Sequence, residues 1–184
     1  MDMNFDPFED RKSRDIRNAL AHGIIEGILS KDMEPFESKE ASLLKETQSV
    51  PDYIHNYIID RKNRLQEILI QLNSFESSLD NHSIVCILLW NQNLFFEFHE
   101  WIEEKWLAET GDKRKALQAL ILLAVVYEHL EYNRPLQAKK VAKKVIGLFE
   151  KQKNNIPKWI NQPVFIKKLE NLDHAPPLIN MGNL

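Results

Sequence analysis

Residues 117–130, Leu-Gln-Ala-Leu-Ile-Leu-Leu-Ala-Val-Val-Tyr-Glu-His-Leu, constrain the fold more than any other stretch. Wound as a helix they are apolar nearly all round, and such a helix has to be enclosed by others. The spacing predicts a central helix from Lys113 to Tyr132. Gly111 suits the left-handed position that closes the preceding helix, and Asp112 suits the cap of this one. On the other side, Asn133-Arg134-Pro135 makes a tight connection, and Pro135 opens a helix to about Gln152. Its apolar side takes in Leu136, Val141, Val145, Ile146, Leu148 and Phe149. Turns this short make the helices antiparallel neighbours.

The first half of the chain has a different pattern. After a loose start at residues 1–9, Ile16, Leu20, Ile24 and Ile28 recur every fourth residue, which predicts an amphipathic helix over 10–30. Gly23 and Gly27 share one face of it; each weakens a helix by up to ~1 kcal/mol against Ala, so another helix is expected to approach closely there. His22 falls off the apolar stripe and is expected at the surface. Residues 31–49, around Pro35, read as a connector with a short helix. Pro51-Asp52 then opens a long helix to about Leu79. Ile58, Leu65, Leu72 and Leu79 repeat every seven residues, with Ile54, Ile68 and Phe75 in the second seam position and Arg61 interrupting it. The seam is expected to pack within the fold; a homodimer through this helix is the alternative. A charged group deep in a seam is unfavourable, so Arg61 argues for a partly open one.

Asn81-His82-Ser83 breaks the chain before a short apolar helix ending near Trp90, and Asn91-Gln92-Asn93 turns it into a further helix over about 94–108. Beyond Pro157 the periodicity decays at Pro163, Pro176 and Pro177, although Trp159, Ile160, Val164, Phe165 and Ile166 are too apolar to stay in water. A short helix is expected at 163–170. The predicted class is all-α: an antiparallel helical bundle with an N-terminal helical extension. Its parts are an extension at 1–80, a core bundle at 81–152 and a Pro-containing tail at 153–184 packed on the bundle.

Charge and composition exclude several classes. The 24 basic and 27 acidic residues leave a formal charge of −3, and the one local basic row is Lys139-Lys140 with Lys143-Lys144. A nucleic-acid binder usually carries a basic stripe; these four lysines read as a solvated face, and no nucleic acid is expected as a partner. No apolar run approaches the ~20 residues of a membrane span, and the acidic start does not resemble a secretion signal. The lone Cys86, inside an apolar run, reads as a small buried hydrophobe rather than a nucleophile. A cytoplasmic protein is expected, with a protein partner or a second copy as its company.

One local conflict points to chemistry. Over residues 95–106, Phe95, Ile102, Trp106 and Phe96 form an apolar arc on a helix, and His99 and Glu103 fall within or beside it. Glu100 sits at its edge, while Glu97, Glu104 and Lys105 are expected to point away. From the next helix, Gln118, Leu122, Val125 and His129 form a stripe.

The same residues resemble a known family, the domain of unknown function numbered 309, an all-helical bacterial and archaeal group. The resemblance rests on Phe96-Glu97-x-His99-Glu100-x-x-Glu103-x-x-Trp106, on Leu117-Gln118-x-Leu120-Ile121-x-Leu123-Ala124, and on His129-Leu130. It covers about residues 89–149 and implies a compact helical bundle without implying a function. The chain departs from the pattern at Ala119, Leu122, Glu128 and Asn133-Arg134, where the family tends to carry Gly, Gln, an aromatic and Gly-Asn.

Three readings of the conflict follow, in order of weight. In the first, His99, Glu103, Gln118 and His129 satisfy one another in a buried network that fixes register, within a binding or structural module. In the second, His99, Glu100, Glu103 and His129 hold a divalent metal or small ligand, with Trp106, Gln118 and Phe96 around them. No cofactor is required by the sequence; a divalent ion is the one these side chains would take. In the third, Glu103 or Glu100 is a general base, hydrolysis being the least arbitrary reaction. No nucleophile or oxyanion device accompanies that pair, so enzyme activity ranks last.

Overall fold

The computed structural model describes residues 5–45, 50–75 and 81–183. The protein is all-α, and among the described residues no segment forms a strand. Residues 1–79 and residues 80–184 form two compact units.

In the N-terminal unit, α1 (Arg11–Ser30), α2 (Glu34–Lys45) and α3 (Asp52–Asn73) pack on one another. Asp10 starts α1, accepting hydrogen bonds from the Lys12 and Ser13 amides and, at 2.7 Å, from the Ser13 hydroxyl. Two donors that every helix leaves orphaned are thereby satisfied. Those bonds favour the charged form, so Ser13 holds the Asp10 carboxyl below the usual carboxylate range. At the other end Lys31 adopts the left-handed conformation, with φ 57°, and donates its amide to the Gly27 carbonyl.

The two glycines of α1 admit its neighbours. A Cβ on Gly23 would lie 3.0 Å from the Phe36 Cα of α2, and one on Gly27 would lie 2.8 Å from the Asp32 carbonyl oxygen and 3.3 Å from Leu65 Cδ2 of α3. Gly27→Ala therefore forces a backbone atom to move, an overpacking that outweighs the helix-propensity gain. We expect a net loss of about 1–2 kcal/mol, read from the unfolding midpoint in urea. An unchanged midpoint would mean that the close approach is not tight.

Helix α3 buries Ile54, Ile58, Leu65, Ile68 and Leu72, the seam positions. Arg61 corrects the expected open seam: it is buried, yet its guanidinium reaches Asp60 at 3.1 Å and lies 4.6 Å over the Tyr57 ring. The long side chain carries its charge to a partner while its stem fills the seam. Phe5 stacks on Tyr57, with ring centroids 3.6 Å apart. The helix stops at Asn73, short of the expected Leu79, which lies outside the described residues.

In the C-terminal unit the order is α4 (Asn81–Asn91), α5 (Phe95–Ala108), α6 (Gly111–Glu131), α7 (Pro135–Lys151) and α8 (Gln162–Asn171). Each of the first four packs on the next in sequence among α4–α5, α5–α6, α6–α7 and α7–α8. Two turns use a left-handed asparagine, Asn93 and Asn133, each with φ 53°; asparagine tolerates that conformation better than most residues. Gly111 has φ 61°. Asp112 sits in the first turn of α6 rather than at its cap, bonding Lys115 at 3.0 Å and the Gln152 amide at 3.4 Å. Lys115 holds its carboxyl below the usual range.

Trp90, at the end of α4, is fully buried and meets Phe95, Phe98, Tyr127 and Phe165 at centroid distances of 5.2–5.3 Å. Its indole N–H donates to the Pro177 carbonyl at 2.8 Å. Asn91 completes the anchorage, donating to the Ile179 carbonyl and accepting from the Ile179 amide, both at 2.9 Å. Pro177 has no amide hydrogen to satisfy, so the 173–180 segment is held through the polar groups it does possess. Among the described residues no helix is long and apolar enough to cross a membrane.

Candidate functional site on α5

Helix α5 buries Phe95, Glu97, Phe98 and Ile102, so its inward face is centred roughly a quarter turn away from the arc drawn through Phe95, Phe96 and Trp106. Two expectations are corrected by that rotation. Glu97, expected to point outward, is 0% exposed, and His99, expected to face the core, keeps 23% of its side chain in solvent. Phe96 and Trp106 are half-buried flank residues. The flank is also where His99, Glu100 and Glu103 lie, all three half-buried.

On that flank the spacing places donors together. His99 and Glu103 are one turn apart, with Nε2 and Oε2 separated by 3.6 Å, and Glu103 is 41% exposed. Glu100 joins them: one ligand atom from each of the three lies within 4.8 Å of the others. Phe96 presses edge-on against the imidazole, with centroids 6.1 Å apart. One turn beyond Glu103, Trp106 carries the Arg114 guanidinium 4.0 Å over its ring. This cation–π contact occupies the ring face, and the Trp106 indole N–H has no hydrogen-bond partner among the described residues.

The other sequence candidates stand apart from this cluster. His129, near the end of α6, is half-buried; burial pushes its pKa below the ordinary 6.5, and the Arg134 charge acts in the same direction. Gln118 is exposed, because the stripe it shares with Leu122, Val125 and His129 is the flank of α6, each of those three being half-buried. The His99–Glu103–Gln118–His129 network expected in the core is therefore not enclosed as a core network.

Two features carried no usable signal in sequence. Glu97 and Glu128 are both buried, on the adjoining helices α5 and α6, and a helical pattern alone assigns carboxylates to solvent. In the N-terminal unit a cleft of about 460 Å³ lies between α1, the end of α2 and the start of α3, walled by Ile16, Leu43, Ile54 and Ile58 with Asp10 and Lys12 near its rim. It forms from three separate helices, so no local motif announces it.

Residues 85–141 match a family described as "Domain of unknown function (DUF309)", a span that includes all of α5 and α6. No curated protein and no solved structure matches the chain.

Proposed function

We propose that the C-terminal unit is a ligand-binding module that holds a divalent transition-metal ion on the flank of α5, with His99, Glu100 and Glu103 as its protein ligands. The supporting observation is the convergence of three donor atoms within 4.8 Å on a half-exposed surface. Around a tetrahedral ion with bonds near 2.1 Å, neighbouring ligand atoms are about 3.4 Å apart; His99 Nε2 and Glu103 Oε2 stand at 3.6 Å. Glu100 offers a carboxylate oxygen within 4.8 Å of both. One imidazole with two carboxylates suits Zn²⁺ or Mn²⁺, and three protein ligands leave a position for water or an exogenous anion.

A purely structural role for the pair is less well supported. A half-exposed His–Glu contact adds little to stability, and neither side chain is enclosed well enough to need the other. The open coordination position gives the module a place to bind an exogenous anion.

Calorimetric titration of chelator-stripped full-length protein tests the proposal. We expect about one equivalent of Zn²⁺ to bind to the native chain. His99→Ala should abolish uptake, and Glu103→Gln should weaken it by at least the roughly 10–100-fold that losing a mere partner of a ligand costs. Uptake that survives His99→Ala unchanged would exclude this site.

A further inference from the structure

We propose that the outward face of α7 binds double-stranded nucleic acid through its phosphate backbone. The whole-chain charge of −3 conceals a sharp asymmetry: from Arg134 to Lys168 the sequence has ten basic residues and one acidic residue, Glu150. Helix α7 buries Ala138, Ala142, Val145 and Phe149 against the unit and turns Lys139, Lys140, Lys143, Lys144 and Lys151 to solvent. At 100° per residue these five fall within one face opposite the buried stripe.

The sequence alone reads this row as a solvated face, and the structure adds an observation that changes its weight. Some lysines elsewhere meet acids: Lys62 lies 2.9 Å from Glu40, Lys115 3.0 Å from Asp112, and Lys168 2.6 Å from Asp173. None of the five on α7 makes an ion pair among the described residues. Like charges one turn apart on a helix repel, so the row is maintained against its own electrostatics. A polyanion would relieve that repulsion and release counterions.

The same face disfavours other anions. The apolar stripe of α7 is already buried, and the single exposed Leu136 is too little apolar surface to lay into a bilayer. No aromatic residue stands on the lysine face for bases of a single strand to stack on. An acidic peptide would gain affinity from pockets that hold its side chains, and the row of lysines offers regularly spaced charge instead. Lysines four residues apart advance about 6 Å along the axis, a regular spacing suited to the evenly charged backbone of a duplex. Lysine contacts to phosphate position a protein without reading sequence.

Fluorescence anisotropy with a short labelled DNA duplex and full-length protein, over a series of NaCl concentrations, tests this. We expect measurable affinity at low salt, with log K falling against log salt at a slope of about −4.5 for five phosphate contacts. A variant combining Lys139→Gln, Lys140→Gln, Lys143→Gln and Lys144→Gln should lose about one unit of slope per lysine and bind more than tenfold more weakly at low salt. Its circular dichroism should match the native protein, because all four side chains are exposed. Absence of duplex binding at low salt, or a variant with native slope, would overturn the proposal. Equal binding to polyglutamate would overturn it in favour of an acidic protein partner, and equal binding to phosphatidylserine vesicles in favour of a membrane surface.

Discussion

Trp90→Ala should unfold the C-terminal unit, or leave it without fixed packing, at temperatures where the native protein is stable. The indole is fully buried, touches four other aromatic rings and donates to the Pro177 carbonyl. Truncating a buried Trp in this way removes about 3–5 kcal/mol through lost transfer energy and the cavity left behind. The Pro177 carbonyl also loses its donor, leaving the paired hydrogen bonds between Asn91 and Ile179 to hold the 173–180 segment on α4. Since single domains are stable by only about 5–15 kcal/mol, one substitution removes much of the margin. Urea unfolding followed by far-ultraviolet circular dichroism should show the midpoint lowered or one transition lost. A loss below about 1 kcal/mol would mean that the aromatic cluster does not organise the unit. Trp90→Phe should restore part of the loss, because a ring remains while the N–H is gone.

Tyr127→Phe should move stability in the opposite direction. Tyr127 is buried in the same cluster, stacked on Phe95 at 5.4 Å, and its hydroxyl has no hydrogen-bond partner among the described residues. An orphaned buried hydroxyl weakens the fold by about 1–3 kcal/mol, so its removal should stabilise by up to that amount. Alkaline titration gives an independent reading. Burial, with the Asp173 charge acting in the same sense, pushes the phenol well above its ordinary 10.0. The folded state then keeps its proton where the unfolded chain releases it. Stability from this group is whole below pH 10 and is lost as pH rises toward the folded value. The Phe variant should lose less stability above pH 10 than the native protein does. If Tyr127→Phe destabilises by more than about 1 kcal/mol, the hydroxyl is bonded, by water or by a ligand.

The sequence made most of the helices legible because their ends carry unambiguous residues. Pro135 opens α7, Gly111 occupies the left-handed position before α6, and the glycines of α1 mark its closest approaches. The apolar character of residues 117–130 likewise required the enclosure found for α6, where Leu120, Leu123, Val126 and Tyr127 are buried. The long α3 was recognisable from its heptads, but Arg61 was misjudged, since whether a guanidinium in a seam finds Asp60 and Tyr57 depends on rotamers that no pattern reports.

The cluster of donors was legible in its spacing and misread in its orientation. His99, Glu100 and Glu103 were singled out by spacing, and they do converge. Their helix carries apolar residues on more than one side, so an arc drawn through Phe96 and Trp106 competed with the true one through Phe95, Phe98 and Ile102. Only packing against α4 and α6 decides between them. That choice buries Glu97 and leaves His99 at the flank, and it changes the physical character of the site from a core network to an accessible cluster of donors. His129 and Gln118 were drawn into the same expectation because the neighbouring helix offers a similar choice of stripes.

Imidazole nitrogen chemical shifts during a Zn²⁺ titration of full-length protein test the central claim most directly. The chain has six histidines, so each serves as a control for the others. The account predicts that His99 Nε2 shifts alone and saturates near one equivalent, with His82, His129 and His174 unmoved. A silent His99, or comparable shifts spread over several histidines, would contradict a metal site on α5.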